Sequence, residues 1–165
     1  MATKELKADK KTLKFAEIKA MFEGGIMALS SRTLDVAHAY KVAQFKVKIK
    51  NAYSEFENRH QQNLKEAGID NPDDFFKRLQ TLANNAERTE EEKKELDELI
   101  AKNERLNQLF SQLLNDDYVI EPKVMPYEQW HLLQETNKDI KNGNLELLAQ
   151  FEIALEGILW SAPEE

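Results

Sequence analysis

Glu66-Ala67-Gly68-Ile69-Asp70-Asn71-Pro72 reads as a helix stop followed at once by a helix start. Gly68 suits the left-handed residue that ends a helix, and Ile69 is its apolar follower. Asn71 is a capping residue, and Pro72 fits the first helical position, where its missing N–H breaks no bond. Asp73 and Asp74 then favour the positive end of the helix dipole. The charge changes sign at the same point. Residues 1–65 hold 13 Lys and Arg against 7 Asp and Glu, whereas 66–165 hold 10 against 23. The reading is a basic helix that folds back on an acidic one, with the reversal at Gly68–Asn71. Residues whose numbers add to about 139 should then face each other across an antiparallel pair. That sets Lys41 near Glu98 and Lys48 near Glu91, pairs that choose orientation while the apolar stripes supply stability.

Working outward, Leu13, Phe15, Ile18, Met21 and Phe22 predict a helix over about Asp9–Glu23, stopped by Gly24-Gly25. Ser30 or Ser31 is the expected cap of a long helix to Ala67. Its seam is Val42, Ile49 and Phe56 alternating with Phe45, Ala52 and Arg59. Phe75, Leu79, Leu82 and Ala86 continue the apolar face after Pro72. Asn84-Asn85 and the capping-box pattern Thr89–Glu92 predict a break before the next helix. Leu96, Leu99, Asn103, Leu106, Phe110 and Leu113 form its heptad seam, widened by Ile100, Leu109 and Leu114. Residues 116–125 read as an extended connector, with Tyr118–Met125 the strand-like stretch. Pro126 opens a short helix, and Asn142-Gly143-Asn144 turns into a last one carrying Leu148, Phe151, Leu155 and Ile158. The expectation is one all-α domain over 1–165, an elongated, coiled-coil-like antiparallel helical hairpin of about five to six helices. It divides into an N-terminal arm (1–30), the hairpin (31–115), the connector and a C-terminal helical pair (126–160).

Several functions are set aside by composition. The chain has no Cys, so disulfides, thiolate metal sites and cysteine nucleophiles do not arise. No apolar run reaches the ~18 residues of a membrane span, and Met1–Glu5 leads into mixed charge, so the expectation is an untargeted cytoplasmic protein without a membrane partner. All three histidines follow an acid by three residues: Asp35/His38, Glu57/His60 and Glu128/His131. Paired Glu-x-x-His motifs serve di-iron sites in helical bundles, but only with further inward carboxylates that the apolar periodicity does not provide. Neither a Gly-x-Ser-x-Gly nucleophile nor a phosphate-cradling loop is present. No catalytic, metal or cofactor residue is assigned, and the chain is expected not to be an enzyme.

Two binding classes remain. Tyr127, Trp130 and Trp160 are the candidate anchors for a protein partner, with homo-oligomerisation as one form of that contact. The alternative is a nucleic-acid accessory role for Lys4, Lys7, Lys10, Lys11 and Lys14, opposed by a net charge of −7. From Tyr118-Val119-Ile120-Glu121-Pro122 through Pro126-Tyr127-Glu128-Gln129-Trp130 to Asn137, the chain resembles short helical proteins of tailed bacteriophages and prophages with no assigned function. The resemblance implies a phage origin and carries no catalytic residue with it. An assembly or adaptor factor and an inhibitor of a host protein are the two forms of protein binding it leaves open.

Overall fold

A computed structural model of the chain describes residues 11–138 and 144–163. They form six α-helices: α1 (Phe15–Glu23), α2 (Val36–Glu66), α3 (Pro72–Asn84), α4 (Glu90–Asn115), α5 (Tyr127–Asn137) and α6 (Asn144–Leu155). Four short strands accompany them: β1 (Lys11–Lys14), β2 (Asp117–Ile120), β3 (Met125–Pro126) and β4 (Trp160–Ser161). The class is all-α, as expected. Of the described residues, those up to Ser54 and from Asp116 onward make one compact unit, and Glu55–Asn115 make a second.

In the first unit, Lys11–Lys14 is a strand rather than the opening of a helix; Asp9 and Lys10 lie outside the described residues. It pairs antiparallel with β2, Leu13 opposite Tyr118, and buries Leu13. The partner is more than a hundred residues away, so local periodicity carried no sign of it. α1 starts where the ladder ends: the Phe15 N–H donates to the Asp116 carbonyl at 3.0 Å, and the Lys14 N–H to the Glu17 carboxylate at 2.9 Å. Phe15, Ile18 and Met21 are the buried face of α1, and Phe22 stacks on Tyr53 of α2 with ring centroids 4.1 Å apart.

The long helix begins at Val36, four residues later than a cap at Ser31 would have it, because α5 holds the approach in a non-helical shape. The Asn137 side chain, with no exposed surface, accepts from the Ser30 N–H at 2.8 Å and donates to the Ser30 carbonyl at 2.9 Å. It also donates to the Leu133 carbonyl at 2.7 Å. The Thr33 and Thr136 hydroxyls bond to each other. With Ser30 claimed in this way, Asp35 takes the cap position, its carbonyl accepting from the Ala39 N–H at 2.8 Å.

The buried seam of α2 follows the predicted spacing through Val42, Phe45, Ile49, Ala52 and Phe56, all at most 4% exposed, but not to Arg59, whose side chain is 42% exposed and bonds to Glu55. The lysines between them take other partners than α4. Lys41 donates to the Val124 carbonyl at 2.6 Å, Lys46 to the Leu29 carbonyl, and Lys48 to the Glu121 carbonyl at 2.9 Å and carboxylate at 3.4 Å. The pairs Lys41–Glu98 and Lys48–Glu91 are therefore replaced. Irregular segments have carbonyls without a ladder, and an ammonium within reach satisfies them. Burial pulls the Lys46 ammonium below its ordinary range. α5 and α6 pack together, burying Trp130, Leu133, Leu148, Phe151 and Leu155, and the parallel β3–β4 pair seats the last described turn.

In the second unit, α2 ends as the sequence predicts. Gly68 takes φ +78°, its N–H donates to the Lys65 carbonyl at 3.0 Å, and the Ile69 N–H reaches back to the Leu64 carbonyl at 2.9 Å. Asn71 caps α3 through the Asp74 N–H at 3.1 Å. The chain does not reverse there, however. Phe56 and His60 meet Phe110, Asn63 donates to the Leu109 carbonyl, Glu66 pairs with Arg105 and Arg78 with Glu95. Partner numbers rise along α2 and α3 as they fall along α4, so α3 continues in the direction of α2 and both lie antiparallel to α4. Length agrees: the 26 residues of α4 span about 39 Å, close to the 13 of α3 plus the last dozen of α2.

The reversal falls at Asn85–Thr89, where a break is predicted. Thr89 and Glu92 close a reciprocal capping box at 2.8 and 3.2 Å, and Arg88 donates to the Leu82 carbonyl at the end of α3. Ala86, expected on the apolar face, is exposed in this turn. Leu64, Ala67, Ile69, Phe75, Leu106 and Leu109 form the core beneath the Gly68 bend, with Leu79 and Leu99 packed against it. Asn103 is half-buried on the same helix. Arg78 binds Glu95 side-on through two bonds of 2.8 and 2.7 Å, which hold the carboxyl below the usual carboxylate range.

Replacing Gly68 with Ala puts a Cβ on a left-handed residue, and chemical denaturation is expected to show a loss of about 1–2 kcal/mol. The change Asn137→Ala leaves the Ser30 N–H and carbonyl without their side-chain partner and should cost about 1–3 kcal/mol in the same assay.

Candidate protein-binding surface

The sequence-predicted anchors are not alike in the fold. Trp130 has no exposed surface, its indole N–H donating to the Glu152 carboxylate at 3.1 Å. Trp160 is 8% exposed, stacks on Trp130 with centroids 5.9 Å apart, and donates to the Glu152 carbonyl at 2.9 Å. Both are core residues whose single polar atoms are satisfied inside, so neither is presented as a surface anchor. Tyr127 is 38% exposed, packed edge-on against Trp160 and stacked on His131. It borders a cleft of ≈ 560 Å³ whose other walls are mixed, with His38, Lys41, Glu128 and Ser161 beside Val124, Met125, Pro126, Ala162 and Pro163.

Of the basic arm, Lys4, Lys7 and Lys10 lie outside the described residues. Lys11 and Lys14 stand on β1, and the Lys14 ammonium is 3.4 Å from the Asp117 carboxylate. The fold thus gives Lys14 an internal acid rather than leaving it for a phosphate.

The three acid-to-histidine spacings separate into different environments. His38 bonds to Asp35 at 3.3 Å. His60 turns away from Glu57 and sits between Phe56 and Phe110, its buried Nδ1 without a hydrogen-bond partner. His131 stacks on Tyr127. Among the described residues, no three His, Cys, Asp or Glu side chains come together as a metal set. Next to His60, in the second unit, Leu64, Pro72, Phe76, Leu106 and Phe110 line a shallow groove of ≈ 370 Å³, and Phe76 is 43% exposed at its rim.

The most exposed apolar surface on a regular element is on α2 itself. Val36 is 88% exposed, Tyr40 63% and Val47 56%, with Ala43 exposed between them. Their spacing of four, three and four residues is that of a seam along which a second helix lies. At 3.6 residues per turn this stripe is about 180° around the helix from the buried seam Val42, Phe45, Ile49 and Ala52. α2 therefore has two apolar faces, one covered by the fold and one open. Sequence reasoning named the first and missed the second. The signal was present, since Val36, Tyr40, Ala43 and Val47 keep heptad spacing. It was masked because Val42–Phe56 accounts for a helix with one neighbour.

Between Val36 and Ser54, α2 contains no acid and four lysines. Lys46 and Lys50 flank the open stripe on one side. The carbonyl partner of Lys46 satisfies its donor without cancelling its charge. Among the described residues Glu121 is the carboxylate brought to these lysines, and it is shared between Lys48 and Lys123. Its carboxyl is held low by the hydrogen bond from Lys123 and the charge of Lys48. Among the described residues no helix is long and apolar enough to cross a membrane.

No protein-family model matches the chain, and comparison with curated proteins and with solved structures returns no similar protein.

Proposed function

We propose that this chain is a non-enzymatic protein-binding factor that works through the open face of α2. The observation that carries this reading is the stripe Val36, Tyr40, Ala43 and Val47: three large apolar side chains and an alanine at helix-pairing intervals, exposed along three turns of a long helix. Uncovering such side chains is unfavourable by roughly 25 cal/mol per Å² relative to burial, and a partner helix recovers that free energy. The phage resemblance of the Tyr118–Asn137 segment adds that the protein is phage-encoded and acts in the host cytoplasm. There it serves as an assembly or adaptor factor or as an inhibitor of a host protein.

A second reading, a nucleic-acid accessory role, draws on Lys11 and Lys14 of β1 and on the acid-free stretch of α2. It leaves the apolar stripe without a purpose, since phosphates are recognised by charge and by hydrogen-bond donors.

Affinity purification of the full chain from bacterial lysate, followed by mass measurement of the intact complex, tests the proposal. The expected result is a stoichiometric protein partner: virion components or further copies of the chain for an assembly factor, a host enzyme with reduced activity for an inhibitor. Recovery of nucleic acid, removed by nuclease or by high salt, with no protein would overturn it in favour of the second reading.

A further inference from the structure

Resting on the protein-binding reading, we infer that the open stripe of α2 receives an acidic amphipathic helix from a partner protein. Val36, Tyr40, Ala43 and Val47 cover about 17 Å of α2, so the occupant is a helix of at least about three turns. It lies along α2 with its own apolar residues on a heptad stripe. The flanking charge selects its chemistry. From Val36 to Ser54 the helix offers lysines and no carboxylate; just before it stand the exposed Arg32 and the exposed Asp35, whose carboxylate bonds to His38 at 3.3 Å. Lys41 and Lys46 donate to neutral carbonyls, so each keeps its unit charge. Among the described residues Glu121 is the carboxylate bonded to these lysines, through Lys48, and it serves Lys123 as well. The positive field along the stripe is therefore answered by glutamates or aspartates flanking the apolar residues of the incoming helix, as in charge-selected coiled coils.

A second copy of the chain fits this field badly. In a parallel pairing Lys50 lies beside Lys50 of the other copy, and in an antiparallel pairing Lys50 approaches the Arg32 end. The parallel arrangement brings like charges together at the edge of the seam, which opposes association, and in the antiparallel one Asp35 offsets Arg32 at the approached end, so neither offers the lysines a run of acids.

The test uses the full chain and two synthetic three-heptad helices that share Leu and Ile seam residues, one flanked by Glu and the other by Lys. Binding is read by fluorescence anisotropy. The Glu-flanked helix is expected to bind about tenfold or more tightly than the Lys-flanked one at low salt, with the difference shrinking as salt screens the flanks. Tyr40→Glu and Val47→Glu are expected to abolish binding while leaving the circular dichroism and melting temperature of the chain unchanged, since both side chains are mostly exposed. Equal affinity for the two helices, no binding of either, or binding that survives both variants would overturn the inference. Self-association that Tyr40→Glu dissolves would assign the stripe to a second copy instead, and association with phosphatidylglycerol vesicles but with neither helix would assign it to a membrane. Both outcomes overturn it. Repeating the lysate purification with Tyr40→Glu separates two failures. A partner retained by the variant leaves the protein-binding reading intact and removes this site, whereas no partner for either protein removes the reading itself.

Discussion

The fold depends on what α2 must satisfy on its two sides. One side buries Val42, Phe45, Ile49 and Ala52, which contribute most of the stability a helix of this length can add to a core. Around that seam Lys41, Lys46 and Lys48 reach the carbonyls of Val124, Leu29 and Glu121, segments with no helical or strand ladder to satisfy them. An unpaired carbonyl in a partly buried loop costs about 1–3 kcal/mol, so these bonds are conditions on where the loops can lie. The lysines thereby become structural as donors, while bonding to neutral carbonyls leaves their charge in place. The remaining side of α2 is left open, with an apolar stripe and an uncancelled positive field.

Local signals in the sequence carried far. Gly68, Asn71-Pro72 and Thr89–Glu92 are read correctly because each is a self-contained hydrogen-bonding device of four or five residues, independent of distant contacts. The buried seam of α2 is legible for the same reason, since 3.6-residue periodicity needs only the helix itself. What the sequence leaves ambiguous is direction. A stop and restart such as Glu66–Pro72 is equally consistent with a fold-back and with a bend between helices that continue the same way. The choice is made by α4, long enough to lie along both α2 and α3, and a helix length becomes decisive only once its neighbours are known. The β1 strand is a similar case. Lys11–Lys14 has helix-compatible residues, and its pairing with Asp117–Ile120 comes from the far end of the chain.

The candidate site was less legible than the fold. Aromatic residues attract attention as anchors, yet Trp130 and Trp160 are stacked in the interior with their indole N–H groups bonded to Glu152. Burial of a tryptophan is decided by which helices surround it, which spacing alone does not state. Tyr40 and two valines make the better surface because they stay exposed among the described residues, and that is a property of the three-dimensional arrangement. Asn137 is a further instance: an amide in a polar helix turns out to be the buried clamp that places the start of α2.

A photo-crosslinking residue placed at position 40 in the full chain, activated in living cells, tests the role of the open α2 face most directly. The account predicts a crosslink to a discrete protein, lost when the same residue is placed at the buried position 45. Crosslinking to nucleic acid, or an equal and unspecific smear of products from both positions, would contradict it.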